Sequence, residues 1–167
     1  MLSIQKLLTM SKLKPDVNII HSGIFTKWNE QSDNLPRLTK ATVHVPAEID
    51  IEFGFIAQIK KAKNQKLRYC IYHPDIPDEN GNTRPPFDGE VYVKENDWKF
   101  YLGDTIWAPE HNKVGKWRMT LELKGKVIAE KTFRVHLNDE LPRQTNKSIQ
   151  MDDDAEKIAS FWKRRGC

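Results

Sequence analysis

Trp98-Lys99-Phe100-Tyr101-Leu102, then Gly115-Lys116-Trp117-Arg118-Met119-Thr120-Leu121-Glu122-Leu123, then Lys124-Gly125 and Lys126-Val127-Ile128-Ala129-Glu130-Lys131-Thr132-Phe133-Arg134-Val135 make up most of the stretch from 98 to 137. Trp117, Met119, Leu121 and Leu123 alternate with Lys116, Arg118, Thr120 and Glu122. A period of two is that of a strand with one buried face. Lys124-Gly125 supplies the turn, because glycine tolerates the positive φ of a tight hairpin. Phe133, Val135 and Leu137 bring a second apolar face back. The stretch reads as the terminal hairpin of an antiparallel β-sandwich.

The same alternation extends outward. Ile49, Ile51, Phe53, Phe55, Ala57 and Ile59 form one face of a strand, and Asp50, Glu52, Gly54, Gln58 and Lys60 the other, with Ile56 as the exception. Further strands are expected over Val17–Thr26, Leu38–Val45, Leu67–Tyr72, Glu90–Lys94 and Trp98–Trp107. Gly23 marks a bulge or a close backbone approach. Residues 73–89 are rich in Pro, Asp, Asn and Gly and read as a loop. About eight strands separated by turn signals, with no repeat and no βαβ alternation, predict an all-β sandwich.

The chain has 167 residues, 38% of them hydrophobic, with five Trp, seven Phe and four Tyr. That suffices for one core plus tails. The 30% charged content suits a soluble protein. A net charge of +4, from 27 basic and 23 acidic residues, is mild beside the segregated excess of most nucleic-acid binders. Cys70 and Cys167 make no disulfide framework, and both are expected to be free thiols in a reducing, cytoplasmic compartment. No apolar run reaches the roughly 20 residues of a membrane helix, so no membrane partner is expected.

The predicted boundaries are a leader over 1–15, a sandwich over 16–138, a polar linker over 139–151 and an amphipathic helix over 152–167. Met10 reads as a plausible start, with the residues before it an upstream extension. In the helix, Asp152, Asp153, Asp154 and Glu156 lead, and Lys163, Arg164 and Arg165 follow before Gly166. That order suits the helix dipole and a glycine cap. Ala155, Ile158, Ala159 and Trp162 form one narrow apolar stripe.

Some segments fall in a familiar order. Ile20-His21-Ser22-Gly23-Ile24-Phe25 opens the core, Val45-Pro46-Ala47-Glu48-Ile49 leads into Phe53-Gly54, and Tyr72-His73-Pro74 begins the Pro-rich loop. Val114-Gly115-Lys116-Trp117 then precedes Lys124-Gly125-Lys126 and Ala129-Glu130-Lys131-Thr132-Phe133. Over about residues 17–137 this resembles a bacterial family of small immunoglobulin-like domains with no assigned function. The resemblance implies an immunoglobulin-like fold and brings no catalytic residues with it.

Candidate chemistry is sparse. His73, Asp75, Asp78 and Glu79 cluster in the long loop, where a metal-dependent or hydrolytic enzyme would need them to converge. The glycine and glutamate spacing of an EF-hand is absent, and a solvated Pro-turn loop is the preferred reading. Glu110-His111 are sequence neighbours, which in extended chain face apart. No Ser or Cys has a nucleophile-elbow context, so no enzyme, cofactor or metal is expected. Lys60, Lys61, Lys63, Lys66 and Arg68, followed by Tyr69 and Tyr72, are candidates for anion or nucleic-acid binding. The preferred reading is a lysine-rich hairpin that keeps the sheet soluble. Phe161, Trp162, Lys163, Arg164, Arg165 and Trp28 are candidates for binding a protein partner or a second copy of the chain. The expected function is a non-enzymatic protein–protein interaction module, working through an edge strand or the terminal helix.

Overall fold

The computed structural model describes residues 14–142. Its strands are β1 (Asp16–Phe25), β2 (Leu38–Lys40), β3 (His44–Pro46), β4 (Glu52–Lys60), β5 (Lys66–Tyr72), β6 (Phe87–Tyr92), β7 (Asp97–Thr105), β8 (Gly115–Leu123) and β9 (Lys126–His136). They form a four-stranded sheet in the order β2-β1-β4-β7 and a five-stranded sheet in the order β3-β9-β8-β5-β6. The helical segments among the described residues are single 3₁₀ turns at Glu110–Lys113 and Asn138–Glu140. The helix expected over 152–167 lies outside the described residues, as do most of the leader and of the linker.

The β8–β9 hairpin forms as its alternation requires. Trp117 stands opposite Phe133 and both are fully buried. Lys124 and Gly125 both have positive φ, 51° and 76°. Two such residues in a row make the turn whose twist matches a β-hairpin. Phe53 from the facing sheet packs edge-on against Trp117 at 5.3 Å and against Phe133 at 5.6 Å. The Trp117 indole N–H donates to the Lys113 carbonyl at 2.8 Å, so the ring is buried with its one donor satisfied. Cys70 is buried and pairs with no other described cysteine.

The run Leu38–Val45, expected as one strand, divides. β2 pairs antiparallel with β1, and β3 crosses to pair with β9 in parallel. One pairing is therefore parallel, and the sandwich is not purely antiparallel. At the crossing, Gly23 passes so close to Lys40 that a β-carbon would strike its carbonyl. A close approach is what an isolated glycine within a strand signals.

Ile56 points away from the main core. With Phe25 and Tyr101 it forms a second buried cluster, closed by Ile20, Trp28 and Leu38. The four-stranded sheet thus carries apolar side chains on both faces, its outer face being covered by the chain between β1 and β2.

Candidate functional site

Glu52 opens β4, with Phe25 of β1 on one side and Thr105 of β7 on the other. The sequence pattern places it in solvent, yet it is only 4% exposed. One carboxylate oxygen accepts from the Tyr101 hydroxyl at 2.6 Å, the other from the Thr105 hydroxyl at 2.5 Å. Burial pushes the carboxyl above its ordinary range, while the Thr105 and Tyr101 hydrogen bonds pull it back. Burial, with the adjoining Glu52 charge, likewise pushes the Tyr101 phenol up. The Tyr101 ring lies along its own strand over Gly103, where any β-carbon would collide with the hydroxyl. Edge-on contacts set the ring against Phe25 at 5.1 Å and Trp28 at 5.2 Å. The Trp28 ring is therefore held by Tyr101, whose hydroxyl Glu52 anchors.

Trp28 and Leu35 form one wall of a groove of about 1070 Å³. Its floor is the first half of β7, from Asp97 to Tyr101, and Val91 and Tyr92 line the opposite wall. β7 is an edge strand: it pairs with β4 on one side only. The backbone groups on its other side have no strand partner and face the groove. β6 is likewise the edge of its sheet. In the groove floor, Trp98 and Phe100 meet at a tilt at 5.3 Å and Phe100 meets Tyr69 at 6.1 Å, sealing the sandwich between the two edges. Tyr92 is 63% exposed. Four carboxylates line the groove (Glu30, Asp33, Glu95 and Asp97) against two ammonium groups (Lys94 and Lys99).

Of the candidates read from the sequence, Trp28 sits in this groove. Lys66 and Arg68 of the basic hairpin line a separate hollow. Lys66 pairs with Glu90 at 3.4 Å, and Arg68 with Asp88 at 3.1 Å and Glu122 at 3.3 Å. Lys60 stands in register between Asp16 and Asp97. Lys61 and Lys63 are exposed at the hairpin tip. The segment is free of acid in sequence, but neighbouring strands bring carboxylates to it. Arg118 continues this face, paired with Glu130 at 3.2 Å and lying over the Tyr72 ring at 4.8 Å. Phe161, Trp162, Lys163, Arg164 and Arg165 lie outside the described residues.

The 73–89 loop spends its polar groups on itself. The His73 ring nitrogens lie 2.6 Å from the Pro74 carbonyl and 2.9 Å from the Pro85 carbonyl, and the ring meets Phe87 at 4.7 Å. The Asp78 carboxylate accepts from the backbone of Asn80 and Asn82. Among the described residues no three His, Cys, Asp or Glu side chains converge on a point that could hold a metal ion.

Sequence reading misses three other polar features. Lys113 is fully buried, its ammonium bonded to the Pro109 carbonyl and the Asn112 side chain and lying 4.2 Å from the centre of the Trp107 ring. Burial holds that ammonium below its ordinary range. Asp104 faces the inter-sheet space, and burial pushes its carboxyl up to about 6. His44 and His136 lie 2.8 Å apart nitrogen to nitrogen across the β3–β9 pair. One outward signal for the Glu52 hub does exist. Ile56 is an apolar residue on the supposedly solvated face of β4, which implies that part of that face is covered.

No curated protein matches the chain. Among solved structures it is similar to an immunoglobulin-like protein from Pseudomonas aeruginosa, with a TM-score of 0.62 and 18% identity. That match covers 75% of this chain and 99% of the other. An identity so low establishes the fold, an immunoglobulin-like β-sandwich, and nothing of the activity. No helix among the described residues is long and apolar enough to cross a membrane. Residues 13–135 match the family described as a domain of unknown function (DUF3859), most of the sandwich and nearly three quarters of the chain, and the chain belongs to that family.

Proposed function

We propose that this protein is a non-enzymatic interaction module that takes a short peptide segment along the free edge of β7. The observation that carries this reading is the unpaired β7 edge lying beside an aromatic groove whose Trp28 ring packs on the Glu52-anchored Tyr101. Strand addition draws affinity from main-chain hydrogen bonds and specificity from pockets for alternate side chains. Trp28 and Tyr92 are the side chains suited to that second part, because aromatic rings give large contact area at small entropy cost. A cytoplasmic, bacterial setting is part of the same proposal.

Anion binding through the 60–68 hairpin has less support. Lys66 and Arg68 are already in ion pairs, and phosphate recognition needs a wide basic face. The test is selection from a displayed peptide library against the whole chain. Peptides that bind, and that lose tenfold or more in affinity to Trp28→Ala, support the groove. Failure to select any peptide, with tight binding to single-stranded nucleic acid that collapses as salt is raised, would replace it with the anion reading.

A further inference from the structure

We infer that the chain's own C-terminal segment, Phe161–Arg165, is the groove's resident occupant. This rests on the peptide-binding reading and adds to it the identity of the peptide. The first support is charge. The groove is lined by four carboxylates and two ammonium groups. Phe161-Trp162-Lys163-Arg164-Arg165 carries two aromatic rings and three cations with no acid among them. Aromatic walls with an excess of carboxylates select that composition, the rings for Trp28 and Tyr92, the cations for Asp97 and Glu95.

The second support is reach. The described chain ends at Pro142, just after Asn138 donates to Glu48 at 2.7 Å. Glu48 stands by the end of β7 that carries Thr105, since Asp50 and Ile51 bond to Ile106 across that end. The groove lies toward the other end, so the distance to cover is about one nine-residue strand, roughly 30 Å. Trp162 is 20 residues beyond Pro142, and an extended chain of that length spans roughly 66 Å. A tethered segment faces its site at an effective concentration in the millimolar range. Lying extended in the groove forgoes the helix the segment favours, at little cost, because a helix that short is marginal alone in water. The consequence is a self-occupied site: an outside peptide must displace the tail.

Hydrogen exchange on the full chain tests this. Three proteins are compared: the native sequence, Trp162→Ala, and the triple variant Lys163→Glu, Arg164→Glu, Arg165→Glu. All four positions lie outside residues 14–142, and unchanged exchange over Trp117–Leu123 checks that the sandwich is intact. The expected result is that amides within Asp97–Tyr101 exchange at least tenfold faster in both variants than in the native chain. The native protection should be the same at 10-fold different protein concentrations. Equal rates in all three proteins would overturn the inference, and protection that rises with concentration would overturn it in favour of a second copy. If rates are equal but a library-selected peptide still slows Asp97–Tyr101, the groove remains a peptide site and only its assigned occupant is wrong. If neither tail nor peptide slows those amides, the peptide-binding reading fails with it.

Discussion

Glu52 shows how one side chain can organise a surface. Its carboxylate takes hydrogen bonds from Tyr101 and Thr105 in a place from which water is largely excluded. Removing it strands the Tyr101 and Thr105 hydroxyls, and each unsatisfied buried group costs about 1–3 kcal/mol. Glu52→Ala should therefore destabilise the fold by on the order of 3 kcal/mol, measured from the denaturant midpoint at unchanged slope. Tyr101→Phe, which removes a single donor, should cost about 1 kcal/mol. Asp104 is the opposite case, a carboxyl that the fold holds at a disadvantage. Burial raises it to about 6, the backbone N–H of Thr105 works against this, the Glu52 charge adds to it, and His73 and Lys113 oppose it. A raised carboxyl binds its proton more tightly in the folded state. The folded state is then favoured by protonation below the unfolded value near 3.9, and that advantage is lost as pH rises to about 6. Above pH 6 the charge is buried at a penalty of on the order of 1–3 kcal/mol, partial exposure setting the lower figure. Asp104→Asn should accordingly raise thermal stability at pH 7 and give little gain at pH 3.5. Equal gains at both pH values would mean that charge is not the cause.

Among the elements, the terminal hairpin was legible in the sequence and the β2–β3 segment was not. Trp117, Met119, Leu121 and Leu123 sit on one buried face of a strand, and Lys116, Arg118 and Glu122 alternate with them on the other, so alternation and burial agree except at Thr120, which is buried. Trp117→Ala should cost about 3–5 kcal/mol, as large aromatic truncations do, and a melt near the native temperature would show the core to be drawn wrongly. Lys124 holds φ at 51° without being glycine. Lys124→Gly should relieve that strain and be neutral or stabilising, up to about 1 kcal/mol, whereas Gly125→Ala should destabilise. Leu38–Val45 reads as one strand because nothing local marks the change of partner. The break at Ala41-Thr42-Val43 exists because β1 and β9, far apart in sequence, each take one half. The groove was half legible for a similar reason. Trp28 stood out as an aromatic among polar residues, but Glu52 looked solvated, since a period of two cannot tell an open face from one covered by a distant loop. Asp97, Trp98 and Tyr101 became site residues only through the position of β7 at a sheet edge, which depends on the whole topology.

At the scale of the molecule, charge and apolar surface are divided between the two sheets. The outer face of the five-stranded sheet pairs Lys66, Arg68 and Arg118 with carboxylates from adjacent strands. Exposed pairs of this kind add little stability, but they protect a sheet face from unwanted association. The four-stranded sheet instead leaves an aromatic groove beside an open edge. The overall charge of +4 says little about partners, because it averages a self-neutralised face with a groove whose lining is net acidic. The most direct measurement is residue-resolved amide exchange of the full chain with and without a library-selected peptide. The expected result is slowed exchange confined to Asp97–Tyr101 and to the loop around Trp28, abolished by Trp28→Ala. Protection that mapped instead to β6, to the 60–68 hairpin or to the 73–89 loop would contradict the assignment of the β7 groove as the binding site.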